Sequence, residues 1–192
     1  MKELIRICMG KLSIDQMNYF VRTSKAISYI LISFFLLMRV LDSYTWMMVT
    51  ALLNSIFLCI HFIFVNEVLL KLIRLCKDPI SFKFNRAFIK QNMENLWVTA
   101  TFKENESKMV LVTSGVIHLY MATYNIIYLI RNNNFDDIFN TWLFVLHIAS
   151  LMVLGYLIGL NFEKEASIII SFDTADFALQ RNDKEYYERF CK

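Results

Sequence analysis

Two long runs without a charged residue lie close together in this sequence, at residues 109–130 and 141–160. They contain 22 and 20 residues, and the polar segment 131–140 joins them. An α-helix of about 20 apolar residues is long enough to cross the hydrocarbon core of a bilayer. The pair therefore predicts a transmembrane hairpin, and a chain that works from within a membrane.

Two earlier segments, 26–41 and 46–65, predict a second hairpin of the same kind. The mean hydropathy of the chain is +0.44, and only 19% of its residues are charged, against about 25% in soluble domains. The apolar runs are continuous and do not alternate with polar residues, which favours helices over a β-barrel. The predicted fold is an all-α polytopic transmembrane helical bundle with four spans and cytosolic helical extensions.

The basic residues predict the orientation of these spans. An even number of spans places segments 1–25, 66–108 and 161–192 on one side, and these hold 18 of the 20 lysines and arginines. By the positive-inside rule that side is the cytosol. The sequon at Asn105 would require the opposite orientation if it carried a glycan.

The predicted spans and their orientation divide the chain into five regions. They are a cytosolic basic flank (1–25), a first transmembrane hairpin (26–65), a cytosolic basic loop with helical extensions (66–108), a second transmembrane hairpin (109–160) and a cytosolic amphipathic tail (161–192). The flank is either an amphipathic helix on the membrane surface or a solvated segment. Residues 66–77 continue the second span as a helix until Pro79, and residues 91–102 have a helical pattern leading into the third span.

The residues that carry chemistry in other proteins show no catalytic arrangement here. His61, His118 and His147 fall on three different spans, with no metal-binding or triad spacing and no glycine-rich phosphate loop. The four cysteines follow no pairing pattern. We therefore expect no enzyme activity, no cofactor, no metal site and no nucleic-acid partner.

A mostly polar stripe follows one face of the third span. Its members are Ser114, His118, Met121, Asn125 and Tyr128. Their spacing places them on one side of a helix, and in lipid such a side turns toward protein or a water-filled cavity. Either the polar stripe lines a small-molecule pocket, with Tyr124 and Tyr128 as aromatic walls, or it forms hydrogen bonds between helices, worth about 0.6–2 kcal/mol each.

Two residues on neighbouring spans, Asn54 and His147, would meet the polar stripe under either interpretation. In the fourth span, Gly155 and Gly159 form a GxxxG pair, which predicts close approach of another helix.

The order of these parts resembles the insect gustatory receptor family. The similarity lies in an apolar span followed by the pair Glu165-Ala166, an amphipathic helix and a later Phe190. The second span also continues into a basic helix, FIFVNEVLLKLIRL, and the third span is rich in Tyr and Asn. The resemblance covers nearly the whole chain, as helices three to six of that family.

This resemblance implies a role in chemoreception. The family forms tetrameric ligand-gated cation channels of seven helices, with a ligand pocket in the outer half of the bundle and a pore built from the last helix. Neither the two leading spans nor the final TY-to-QF stretch has a counterpart in these 192 residues. The implied protein is a partial or shortened receptor for small-molecule tastants, lacking the pore helix and working at the plasma membrane with other receptor subunits.

A second hypothesis is a four-span adaptor or assembly protein of an internal membrane, acting through the basic middle loop. A membrane enzyme is the third and weakest, because no site for chemistry is visible in the sequence.

Overall fold

The computed structural model describes the backbone of residues 12–96, 106–132 and 138–181, with side chains over 12–96, 112–127 and 141–181. The described chain forms five helices, which we number α1 (Ile14–Val40), α2 (Tyr44–Lys77), α3 (Pro79–Leu96), α4 (Glu106–Asn132) and α5 (Ile138–Arg181). The prediction of an all-α fold is confirmed.

Three helices of the described chain are long and apolar enough to cross a membrane. They are α1, α2 and the Thr141–Arg181 part of α5. The prediction that the chain contains helices able to span a membrane is confirmed for these three. The third predicted span, 109–130, falls within α4, and its crossing of a membrane stays a prediction.

Local sequence explains where α1 begins. The Ser13 hydroxyl accepts the Gln16 N–H at 3.2 Å, and the Gln16 side chain accepts the Ser13 N–H at 2.9 Å. This reciprocal capping box satisfies donors that the first turn leaves without helical partners. The helix thus begins at Ile14, inside the region predicted as the flank 1–25, and runs into the first span without a break. Residues 1–11 of that flank lie outside the described residues.

A similar cap starts α3. The Asp78 carboxylate accepts the N–H groups of Ile80 at 3.4 Å and Ser81 at 3.2 Å, as well as the Ser81 hydroxyl. These hydrogen bonds, chiefly that from the Ser81 hydroxyl, hold the pKa of the Asp78 carboxyl below its ordinary value. Pro79 at the first helical position loses no hydrogen bond. The helix therefore begins at Pro79, twelve residues before the predicted helical pattern at 91–102.

The connection between α1 and α2 is a tight turn at Asp42. The N–H of Ser43 bonds the carbonyl of Met38 at 3.0 Å, and the N–H of Asp42 bonds that of Arg39 at 3.2 Å. Asp42 has a φ of 51°, in the left-handed region. This is the Schellman pattern that ends many helices, here with Asp where glycine is the usual residue.

The helices divide into two compact units. The hairpin unit comprises the described residues of Tyr19–Ile63 and Glu104–Leu157, and the extension unit those of Met1–Asn18, Phe64–Lys103 and Ile158–Lys192. Helices α1, α2 and α5 contribute residues to both units. Segments distant in sequence thus come together in each.

The extension unit has an apolar core and polar contacts between its segments. Its fully buried side chains include Leu69, Leu72, Phe82, Ile89 and Ile168. The Phe82 ring packs edge-on against Phe172 with centroids 5.5 Å apart, and the Arg86 guanidinium pairs with the Asp176 carboxylate at 2.5 Å. Asn18 donates a hydrogen bond to Asn92 at 2.7 Å. These contacts join the described beginning of the chain, α3 and the end of α5.

The hairpin unit combines a partly polar interior with an apolar surface. Side chains buried in it include Ser28, Asn54, Ser55, Ser114, His118, Asn125 and His147. Large apolar side chains are exposed on its surface, among them Ile30, Leu36, Val40, Val116, Leu119, Met152 and Val153. Because water-soluble proteins rarely expose apolar surface of this extent, the arrangement is typical of a bundle surrounded by lipid.

Candidate functional site

The polar stripe of α4 faces the interior of the hairpin unit. Ser114, His118, Met121 and Asn125 are all at least 95% buried. On the opposite side of the same helix, Val112, Val116, Leu119, Ile126 and Ile127 are exposed. The side chain of Tyr128, the fifth predicted member, lies outside the described residues.

Asn125 lies at a contact with the start of α2. Its side-chain oxygen accepts a hydrogen bond from the Tyr44 hydroxyl, and its amide nitrogen lies 3.0 Å from the Met48 sulfur. Both polar atoms of the Asn125 side chain therefore have partners on α2.

Aromatic rings surround this contact. The Tyr124 ring packs against Tyr44 at 5.7 Å and stacks on Tyr120 at 5.9 Å between centroids. Tyr120 also meets the Phe35 ring edge-on at 6.3 Å, and the Arg39 guanidinium lies 6.0 Å from the Tyr120 centroid. The result is an aromatic cluster from α1, α2 and α4, with a cation beside it. Rings placed in this way offer a surface for a flat or cationic group.

The two predicted histidines meet directly. The Nδ1 atom of His118 on α4 lies 3.0 Å from the Nε2 atom of His147 on α5, with the rings inclined at 44°. Both side chains are buried. The third histidine, His61, is elsewhere in the unit, where its Nδ1 lies 3.2 Å from the Ser24 hydroxyl and 3.3 Å from the Val21 carbonyl oxygen.

Hydroxyl groups join α2 to α5 next to the histidine pair. The Ser55 and Ser150 hydroxyl oxygens are 2.5 Å apart, and the Ser150 hydroxyl donates to the His147 carbonyl at 2.7 Å. The Cys59 thiol lies 3.6 Å from the Ser150 carbonyl oxygen. Asn54, beside Ser55, donates through its amide to the Ser28 carbonyl at 3.3 Å.

Several buried polar atoms of the described hairpin unit have no hydrogen-bond partner. They are Ser28 Oγ, Asn54 Oδ1, Ser114 Oγ, His118 Nε2 and His147 Nδ1. Leaving such a group unmatched in a dry interior costs about 1–3 kcal/mol, so each of these atoms marks a position where a further polar contact would be stabilising.

The structure thus brings together some of the predicted residues and adds others. His118 pairs with His147, and Tyr124 and Asn125 share contacts with Tyr44. The hydrogen bond recorded for Asn54 goes to α1 instead of the polar stripe. Sequence reasoning missed Tyr44, Ser55, Tyr120 and Ser150. Ser55 and Ser150 could have been found from the sequence, because each is a polar residue within an apolar run, like the members of the polar stripe.

The remaining predicted residues, in α5 and beyond it, have no described contact with the histidine pair or with the aromatic cluster. Added Cβ atoms at Gly155 and Gly159 would meet nothing within 4 Å, so neither glycine packs closely on a neighbouring helix in the described chain. The predicted close approach would therefore have to come from outside it. Glu165 and Ala166 lie on α5 in the extension unit, and Phe190 falls outside the described residues.

The described side chains around these contacts are mostly neutral polar or aromatic groups. They are amides, hydroxyls, imidazoles and phenol rings, together with the Arg39 cation. Among the described residues, no three or more His, Cys, Asp and Glu side chains group to hold a metal ion. No protein-family model matches the sequence, and neither the curated proteins nor the solved structures include a significant match.

Proposed function

We propose that the chain is a four-span membrane protein whose three extension segments lie together in the cytosol. The supporting observation is the extension unit, in which residues 12–18, 64–96 and 158–181 pack together. Segments that pack together lie on the same side of a bilayer, so the chain between α3 and the end of α5 crosses an even number of times. If α5 crosses once, α4 supplies the return crossing.

The distribution of side chains on α4 also supports this crossing. Its exposed face is apolar at Val116 and Leu119, whereas its buried face carries Ser114, His118 and Asn125. A helix of a soluble protein shows the opposite pattern. The cytosolic assignment rests on the basic residues, as the positive-inside rule requires.

We infer a receptor-like function for this bundle, as a subunit that senses a small molecule and acts with other receptor subunits in a ligand-gated cation channel of the plasma membrane. The observation that carries the proposal is the buried cluster of the hairpin unit, where polar groups with unmatched atoms lie in the same bundle as the aromatic rings of Tyr44, Tyr120 and Tyr124. Mostly apolar sites with a few placed polar groups are typical of small-molecule recognition. The resemblance to gustatory receptors supplies the receptor class.

The test is co-expression of this chain with full-length gustatory receptor subunits, recording currents evoked by a panel of tastants. His118→Ala and Tyr124→Ala each alter a buried or half-buried member of the cluster, and we expect at least a tenfold rise in the half-maximal concentration of an active compound. Leu119→Ala, on the exposed face of the same helix, is the matched control and should leave responses unchanged. Unchanged responses in both cluster variants, or no evoked current with the unaltered chain, would contradict the proposal.

An adaptor of an internal membrane is the second candidate. The observation that favours it is an exposed apolar pair on α3, Ile80 and Phe84, beside the basic Lys83. Such a patch is a candidate protein-binding surface. Retention of a stable chain in an internal membrane, together with loss of a co-purifying partner after Phe84→Ser, would favour the adaptor over the receptor.

A further inference from the structure

We propose that the beginning of α1 binds the phosphate group of an anionic phospholipid, through Arg22 and the exposed aromatic pair Tyr19 and Phe20. All three side chains belong to the hairpin unit. The site requires that α1 crosses the membrane, and only its assignment to the cytosolic leaflet rests on the proposed orientation. It is independent of receptor activity, because phospholipid binding needs neither a tastant nor a partner subunit.

The length of α1 determines where its span begins. The helix ends at Val40, and the chain turns at Asp42 into α2. The predicted first span, 26–41, therefore supplies only residues 26–40, which rise about 23 Å. Because a hydrocarbon core is about 30 Å thick, the span needs about five more residues, and they come from the preceding part of α1. A span of about 20 residues that ends at Val40 begins at Val21.

The exposed face of α1 changes in character at this point. Ile30 and Leu37 are exposed and apolar, whereas Ala26, Arg22 and Tyr19 continue the exposed face toward the beginning of the helix. These five residues recur at intervals of three, four or seven, so they share one side of α1. The side that faces lipid at Ile30 therefore reaches the membrane boundary at Arg22 and Tyr19.

The side chains at this boundary suit a phospholipid headgroup. Tyr19 is 67% and Phe20 43% exposed, and their rings meet edge-on with centroids 6.1 Å apart. Aromatic rings of this kind concentrate at the interface between membrane and water. The Arg22 guanidinium can donate two parallel hydrogen bonds to one phosphate. Among the described residues, no carboxylate lies within ion-pair distance of Arg22.

Charge favours an anionic lipid over a zwitterionic one. Arg22 and Lys25 place two positive charges within one turn, and Asp15, the only acidic residue of α1, lies two turns before Arg22. Phosphatidylcholine offsets its phosphate with a choline cation, whereas phosphatidylserine keeps a net negative charge. Each basic residue near an anionic leaflet strengthens binding about fivefold, and in cells the cytosolic leaflet carries such lipids. The occupant that fits is therefore an anionic phospholipid.

The first experiment measures lipid binding by the full chain purified in detergent. Native mass spectrometry counts bound lipid molecules as phosphatidylserine or phosphatidylcholine is added. We expect a preference for phosphatidylserine, about fivefold weaker binding of the first phosphatidylserine in Arg22→Gln, and full binding in Arg22→Lys, which keeps the charge. Arg74→Gln removes an exposed arginine of the extension unit and is the matched control, with unchanged binding. Because both arginines are exposed, neither substitution disturbs a buried side chain.

The second experiment measures depth in lipid vesicles. The native cysteines are replaced, and a fluorophore is attached to Tyr19→Cys, Ile30→Cys or Lys83→Cys in separate samples. A nitroxide on the lipid headgroup should quench Tyr19→Cys most, and a nitroxide deep in the acyl chain should quench Ile30→Cys most. Lys83→Cys, at an exposed position of α3, should be quenched least by both.

The outcomes distinguish this site from the membrane crossing that it requires. If Ile30→Cys is quenched no more than Lys83→Cys, α1 does not cross, and the four-span proposal fails together with the site. If Ile30→Cys is quenched but Tyr19→Cys behaves as Lys83→Cys does, the span begins later and the lipid site alone is wrong. Undiminished phosphatidylserine binding in Arg22→Gln, or an equal loss in Arg74→Gln, would also overturn the site.

Discussion

Asp42 ends α1 in a backbone conformation that glycine adopts without strain. An L-residue in the left-handed region carries a cost of about 1–2 kcal/mol, somewhat less for Asp and Asn. The Arg39–Asp42 ion pair is 3.3 Å long and exposed, so it offsets little of this cost. We expect Asp42→Gly to raise the free energy of unfolding by about 0.5–1 kcal/mol, measured by denaturation in detergent. Asp42→Asn, which removes the charge but tolerates the conformation, should be nearly neutral. A less stable glycine variant would show that the ion pair outweighs the strain.

The Ser55–Ser150 contact tests whether α2 and α5 are joined as described. Their hydroxyl oxygens lie 2.5 Å apart. Interhelical hydrogen bonds in membrane proteins contribute about 0.6 kcal/mol on average and up to about 1.7. A double-mutant cycle with Ser55→Ala and Ser150→Ala should give a coupling free energy in that range. Strictly additive effects of the two substitutions would contradict the contact.

The sequence correctly predicted which residues of the candidate site share one face of a single helix. Spacing alone groups Ser114, His118, Met121 and Asn125 on one face of α4, because helical geometry fixes which residues share a side. Which atoms they meet depends on how the helices pack. The 3.0 Å pairing of His118 with His147 and the Tyr44–Asn125 bond both join helices that are distant in sequence, and no spacing within one helix encodes them.

For the individual helices, hydropathy predicted where each helix lies, whereas capping residues determine where α1 and α3 begin. The predicted spans 26–41, 46–65 and 141–160 fall on helices, although α1 ends one residue early, at Val40. Helix α2 ends at Lys77, two residues before Pro79, as predicted. The early starts of α1 and α3 were missed, although Ser13 with Gln16 and Asp78 with Pro79 are readable capping signals. Both helices begin in polar sequence, where the spacing of apolar residues does not indicate a helix start.

The exposed glycines of α4 and α5 offer a test of what surrounds the bundle. A Cβ at Gly155 meets nothing within 4 Å, and the same holds at Gly115. Alanine is favoured over glycine within a helix by about 0.5–1 kcal/mol, so Gly155→Ala should stabilise the chain by that amount in thermal unfolding. Gly115→Ala is the matched control. Loss of stability or of oligomer in Gly155→Ala alone would mean that another chain packs closely on α5.

For the whole molecule, the central claim is that α4 crosses the membrane. Within the part of the chain that the structure describes, three helices meet the length and hydropathy of a span. For α4 we propose a crossing from its apolar outer face and from the packing of the three extension segments into one unit. Sequence alone predicted four spans, and it could not predict that segments separated by two hairpins would pack into one unit, since this depends on contacts such as Arg86–Asp176.

The most direct test is cysteine accessibility in sealed microsomes, whose cytosolic face points outward. The four native cysteines are replaced, and single cysteines are placed by Lys83→Cys on α3 and Asn133→Cys between α4 and α5. A membrane-impermeant maleimide should label Lys83→Cys in intact vesicles, whereas Asn133→Cys should be labelled only after detergent opens them. Labelling of Asn133→Cys in intact vesicles to the same extent as Lys83→Cys would put both positions on the cytosolic side, and α4 would then not cross the membrane.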